Sequence, residues 1–132
     1  MKLFKTTLFT SGLLLMSVAH ADCVSSLNLQ DLNAQLANSN QYYAKVKSPV
    51  QCKSPKSAYD KAVCSDPKLK TLDLLALRAD VYAYENATAT ELTGKKLTAE
   101  INESHKYHQK AKTKEAICKT LLETDSIDSV WK

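Results

Sequence analysis

The chain has 132 residues, four cysteines and a formal charge of +4 at pH 7. That length fits one domain with a modest core, and so small a surplus of positive charge makes no electrostatic case for nucleic acid or an anionic membrane as partner. With two glycines in the whole sequence and no stretch of alternating apolar and polar residues, the expected fold class is all-α.

The first 21 residues read as a secretory signal peptide. Lys2 and Lys5 form a basic start, Leu8 to Val18 is mostly apolar, and Ala19-His20-Ala21 fits the small-x-small cleavage pattern. Cleavage after Ala21 leaves 111 residues as a single domain, 22–132, and loss of the two lysines lowers the formal charge to +2. No other stretch is long and apolar enough to span a bilayer, so no transmembrane anchor is expected after cleavage. All four cysteines, Cys23, Cys52, Cys64 and Cys118, lie beyond the leader. An even count in an exported chain implies two disulfides in a periplasmic or secreted protein. Sequence alone allows three pairings; both Cys64–Cys118 and Cys52–Cys64 fit the helical sketch below.

Leu29, Leu32, Leu36 and Tyr43 recur at helical steps and predict a helix over 29–46, ended by Ser48-Pro49. The stretch Cys52 to Ala76 carries two helix-start signals. Ser54-Pro55 reads as an N-cap and first-turn proline for a short helix over 55–63, and Asp66-Pro67 repeats the device for a main helix over 67–89. Along the main helix Leu69, Leu72, Ala76, Ala79 and Ala83 form a seam, widened by Leu75, Val81 and Tyr82. Gly94 supplies the turn that ends it. A third long helix is expected over 97–123, with Leu97, Ile101, Ala111, Cys118, Leu121 and Leu122 inward and a polar, solvent-facing middle that includes His105 and His108. The short connection at Gly94 makes the two long helices antiparallel neighbours. The fold expected is thus a small disulfide-linked helical bundle built on a long antiparallel hairpin. Trp131, in the tail, reads as a docked plug.

The chemistry-bearing residues are sparse. His105 and His108 share a helix face, but no third metal ligand has characteristic spacing, so no metal and no other cofactor is expected. Asp66, Asp73 and Asp80 repeat every seven residues and would form an acidic stripe along the main helix. Such a stripe reads as a solvated face or a contact strip for a basic partner; without a cleft it is weak support for paired-carboxylate glycosidase chemistry. Lys95 and Lys96 stand at the expected hairpin tip as an exposed basic loop. No serine has a nucleophile-elbow setting and no glycine-rich phosphate loop exists, so the chain is expected not to be an enzyme.

The run CKSPKSAYDKAVCSDPKLKTLD resembles the N-terminal domain of LprI-type bacterial lysozyme inhibitors. It carries Cys52, then Cys64 after Ala62-Val63, then Asp66-Pro67 and Leu72-Asp73 at that family's spacing, with Ser57 and Asp60 where the family has a small hydroxyl residue and a glutamate. The last helix departs from the family pattern, since His108, Ala111 and Glu115 stand where a glutamine, a tryptophan and an arginine are usual. The resemblance implies an exported, non-enzymatic protein that binds lysozyme. The expected contacts are the Asp73/Asp80 face and the Lys95-Lys96 loop. The alternative is an envelope protein with another partner and a structural or stress role.

Overall fold

The computed structural model describes residues 22–124; the leader over 1–21 and the tail with Trp131 lie outside the described residues. Six helices follow one another: α1 (Cys23–Ser26), α2 (Leu29–Tyr43), α3 (Ala58–Ser65), α4 (Pro67–Thr88), α5 (Gly94–His108) and α6 (Lys114–Glu123). No strand occurs among the described residues, as an all-α bundle requires.

α4 is the axis of the bundle and packs against α2, α3, α5 and α6. Its 22 residues span about 33 Å at the helical rise of about 1.5 Å per residue. Leu75, Ala76, Leu77, Arg78 and Ala79 are five consecutive buried residues. Steps of about 100° carry such a run around the whole circumference, so the middle of α4 is enclosed on every side. The expected seam is therefore too narrow. Leu69, Leu72, Leu75, Ala76 and Ala79 face a larger cluster with Leu32 of α2, Tyr59 and Val63 of α3, and Ile117, Cys118 and Leu121 of α6. Leu77 and Val81 face a second cluster with Val46, Leu92, Leu97 and Ile101. Ala83 and Tyr82, assigned to the seam from sequence, are exposed, and so is Leu122.

The helix boundaries follow from local capping. At Asp66-Pro67 the sequence signal works as read: the Asp66 side chain accepts from the Lys68 N–H, and Pro67 opens α4. Ser54-Pro55 does not start a helix. Ser57 is the cap instead, taking the Asp60 N–H at 3.0 Å, and α3 begins at Ala58. Ser57-Ala58-Tyr59-Asp60 is itself a hydroxyl-x-x-acid cap signal. α2 stops at Tyr43, short of Val46, because the Val46 N–H turns back to the Tyr43 carbonyl and the Val46 side chain dives into the second cluster.

The expected third helix is two. α5 ends at His108, and α6 restarts after Thr113, whose hydroxyl accepts from the Ala116 N–H. The break lets Ile101 and Ile117 serve different clusters. Lys95 and Lys96 are exposed but lie in the first turn of α5 and not in a loop.

The left-handed turn at the end of α4 falls on Ala89, with φ 49°, rather than on Gly94. Gly94, with φ 55°, instead opens α5 after Thr93.

The elements are tied together by covalent and polar links as well as by apolar contact. Cys52 pairs with Cys64, fastening the 52–57 segment to the end of α3, and Cys23 pairs with Cys118, fastening α1 to α6. The Cys23–Cys118 pairing differs from the Cys64–Cys118 alternative. The sketch from sequence had no position for α1, which packs on α6. The Glu115 carboxylate supports that junction by accepting the Cys23 N–H with both oxygens, at 2.8 and 3.0 Å. Arg78, 3% exposed, reaches across from α4 to the end of α2. Its Nη1 donates to Ser39 Oγ and Asn40 Oδ1, each at 2.7 Å, and its Nε to the Val46 carbonyl. These neutral acceptors satisfy a buried guanidinium without a carboxylate, and burial lowers its proton affinity.

Two predictions follow from this architecture. Loop entropy makes the 95-residue Cys23–Cys118 link worth about 4–5 kcal/mol and the 12-residue Cys52–Cys64 link about 3 kcal/mol. Urea unfolding should therefore show a larger loss for the C23A/C118A double variant than for C52A/C64A. Ala89→Gly should stabilise the chain by up to about 1 kcal/mol, because glycine takes the left-handed cap without the Cβ penalty that alanine carries; a raised urea midpoint at unchanged slope would register it.

Candidate functional site

Two polar regions flank α4. The first is interior and holds both aspartates singled out from sequence. Asp73 is 1% exposed. Its Oδ1 accepts from the Tyr59 hydroxyl on α3 and its Oδ2 from the Ser48 hydroxyl in the segment after α2, both at 2.6 Å. Burial raises the Asp73 pKa above its ordinary value, although the two hydroxyl donors and the nearby His105 and His108 pull the other way. The same setting raises that of Tyr59, through burial first and the adjacent Asp73 second.

Two histidines of α5 enter the same region. His105 Nε2 lies 3.4 Å from Asp60 Oδ1, and its ring meets Tyr59 edge-on at 5.6 Å between centroids. Gln109 Nε2 adds bonds to Ser57 Oγ and Asp60 Oδ1. His108, 1% exposed, sets Nε2 3.3 Å from Asp80 Oδ2, and that same oxygen takes the Ser104 hydroxyl.

These positions correct the sequence reading at several points. The heptad of aspartates does recur along α4, but its members are engaged inside the molecule and do not form an open face. Asp66 faces Lys114 of α6 at 3.7 Å, Asp73 holds α3 and Ser48, and Asp80 holds α5. Asp73 is enclosed and cannot meet a partner. Asp80 is partly exposed and is engaged inside the molecule. His105 and His108 are drawn inward from the face expected to be open.

Ser104, Asp80 and His108 are the residue types of a nucleophilic triad in the wrong order. The serine hydroxyl donates to the carboxylate, and the imidazole faces that carboxylate too, so the serine proton is directed at Asp80 and not at His108. The Nδ1 atoms of His105 and His108 are buried without a protein hydrogen-bond partner. Among the described residues no group of three or more His, Cys, Asp or Glu is placed to hold a metal ion. The arrangement is thus a set of clasps between helices.

The second region is open. A groove of about 410 Å³ lies between the end of α2 and the last turns of α4, lined by Tyr42, Tyr43, Tyr82, Glu85 and Glu91 with Lys45 at its floor. Tyr42 is 71% exposed, and the Tyr43 and Tyr82 rings meet edge to face at 6.0 Å. Glu85 is the anchor of the floor. It accepts from Lys45 Nζ at 2.8 Å and from the Leu92 N–H. Burial pushes its carboxyl up, but these donors together with Tyr43 outweigh it and leave the group below its ordinary value.

A second groove of about 430 Å³ begins across the end of α4, with Tyr84, Lys96, Glu100 and Glu103 on its walls, and meets the first at Thr90. Burial, with Asp80 and Glu103 nearby, raises the Glu100 carboxyl above its ordinary value. A shallower hollow along α5 joins at Ala99 and brings in Lys95. Lys95 and Lys96 therefore belong to a continuous surface at this end of the bundle.

Sequence reasoning missed the grooves. The signal was present in four tyrosines, Tyr42, Tyr43, Tyr82 and Tyr84, near the ends of two helices. The reading placed Tyr43 and Tyr82 inward by periodicity.

No family model matches the chain, and neither curated proteins nor solved structures show a significant likeness to it.

The buried carboxylate gives a pH test with a definite sign. Because the folded pKa of Asp73 is raised above 3.8, its contribution to stability is fully present below that value and is lost as pH rises through the folded value. Asp73→Asn cannot titrate. Unfolding free energies of the two proteins measured from pH 3 upward should diverge, the native chain losing stability relative to the variant as pH increases. Parallel curves would remove Asp73 as the source.

Proposed function

We propose that this chain is an exported binding protein that works by contact with a protein partner, and that the partner is a lysozyme-type muramidase. One observation carries the reading. Tyr42, Tyr82 and Tyr84 are exposed around the end of α4, on a surface continuous with Lys95 and Lys96, whereas the side chains suited to acid–base chemistry are closed between helices. Exposed tyrosines supply large contact area at small entropic cost, and aromatic residues are enriched at protein interfaces.

Further support comes from charge and covalent structure. The two grooves hold Glu85, Glu91, Glu100 and Glu103 against Lys45 and Lys96, a local acidic excess within a chain of positive formal charge. A strongly basic partner such as lysozyme meets complementary charge here even though the molecule as a whole is not acidic. Two disulfides suit an oxidising compartment, where such a partner is met. The likeness of the Cys52-to-Asp73 run to LprI-type inhibitors supplies the choice of partner. Contacts through Lys95 and Lys96 are retained in this reading, and those through Asp73 are withdrawn.

The test adds the purified chain without residues 1–21 to lysozyme acting on bacterial cell walls. Hydrolysis should fall in proportion to the added protein and reach a plateau near one equivalent. Full hydrolysis at a large excess would reject the muramidase and leave the envelope role with a different partner.

A further inference from the structure

The interior of the first groove narrows the kind of contact it can make. Lys45 already shows what its walls accept. The Lys45 ammonium lies 5.6 Å over the centroid of the Tyr43 ring, a cation held against an aromatic face. That ammonium is committed to Glu85 at 2.8 Å and to the Leu92 carbonyl at 3.0 Å. It comes no nearer than 3.8 Å to Glu91, whose side chain stays 78% exposed. The groove thus keeps an acidic rim after its own cation has been placed. Beside that rim stand Tyr42, 71% exposed, and Tyr82, 36% exposed.

We infer that the Tyr42–Tyr82–Glu91 side of this groove is a receptor for a cationic side chain, an arginine or lysine, projecting from a protein partner. Three properties converge on that occupant. The carboxylate at the rim is a charge acceptor that pays little desolvation to reach, being open to water. The aromatic walls favour a cation over an anion, because the ring faces carry negative quadrupole density. With two carboxylates against one ammonium, Glu85 and Glu91 against Lys45, the cavity has an unbalanced negative charge that an incoming cation neutralises. Arginine suits the site better than lysine, since its planar guanidinium stacks on a tyrosine while its fork meets a carboxylate.

Tyr82 need not rearrange much to serve. Tyr43 and Tyr82 are fixed edge to face, and the groove floor is held by the bonds from Lys45 and Leu92 to Glu85. A receptor set beforehand loses less entropy on binding than one that must be assembled.

This inference rests on the proposed contact function but names its chemistry, and the two can fail separately. The probe is a tetra-arginine peptide, titrated into the disulfide-bonded chain without residues 1–21 and followed by intrinsic fluorescence or NMR shifts. Tetra-glutamate and chitotetraose serve as comparisons. The peptide should bind with an affinity that falls as salt rises. Tyr42→Ala and Glu91→Lys should each weaken it by about fivefold or more, and Tyr107→Ala, exposed elsewhere, should leave it unchanged. Tyr42 and Glu91 are both solvent-exposed, so far-UV circular dichroism of these variants should match the native spectrum.

Absence of peptide binding, binding indifferent to both substitutions, or a preference for chitotetraose would each overturn the cation receptor; the last would make the groove a glycan site. Lysozyme inhibition that survives Tyr42→Ala and Glu91→Lys would also overturn it as the partner contact while leaving inhibition standing. Peptide binding sensitive to both substitutions, in a chain that leaves lysozyme untouched, would uphold the receptor and reject the muramidase.

Discussion

The structure depends on a carboxylate placed where water cannot reach it. Asp73 sits on the enclosed helix α4, and an unpaired charge there would be strongly destabilising. Its two oxygens are met by hydroxyls from two different parts of the chain, Tyr59 on α3 and Ser48 after α2. Neither hydroxyl has another role as strong, and the carboxylate cannot be satisfied unless both segments dock. Burial of the charge therefore makes the docking of α3 and of the 44–57 segment a single event. Hydrophobic contact alone would set the distance between these elements but not their register, because apolar packing is not directional. The polar pair supplies direction.

The same device recurs along α4 with different partners. Asp66 caps the helix and faces Lys114, Arg78 holds the end of α2 through Ser39, Asn40 and the Val46 carbonyl, Asp80 takes Ser104 and His108, and Glu85 gathers Lys45 and the Leu92 N–H. Each of these five polar positions, Asp73 included, thus ties a different part of the chain to the helix. A domain of this size has a limited core, and here the core is divided into two clusters. Disulfides add what the core lacks. Cys23–Cys118 secures α1, a helix of four residues that could not persist on its own, and Cys52–Cys64 closes a segment without regular structure against α3.

These polar ties also explain which features could be read from the sequence. The all-α class, the start of α4 at Asp66-Pro67 and most of its apolar seam were legible, because they rest on local propensity and on spacing within one helix. Asp73, His105 and His108 were misplaced to the surface because a charged residue at helical spacing looks the same whether it faces water or a partner from elsewhere in the chain. The deciding residues, Tyr59 and Ser48, lie 14 and 25 positions away. The division of the last helix escaped notice for a related reason. Seven polar residues without glycine or proline resemble a solvated face, and only the Thr113 cap marks the restart. Among the candidate contacts, Lys95 and Lys96 were found exposed, whereas the tyrosine grooves require the juxtaposition of α2 with α4, which periodicity within each helix does not contain.

The distribution of polar groups separates the two ends of α4 by purpose. From Asp66 to Asp80 its three aspartates and Arg78 are directed at other parts of the bundle. Beyond Val81, Tyr82, Ala83 and Tyr84 are exposed, and the helix ends on a left-handed alanine. Tyr43 packs against both core clusters and meets Tyr82 edge to face, so this end is packed on one side and open on the other among the described residues. The two core clusters enclose α4 as far as Val81, and its last two turns stand largely outside them.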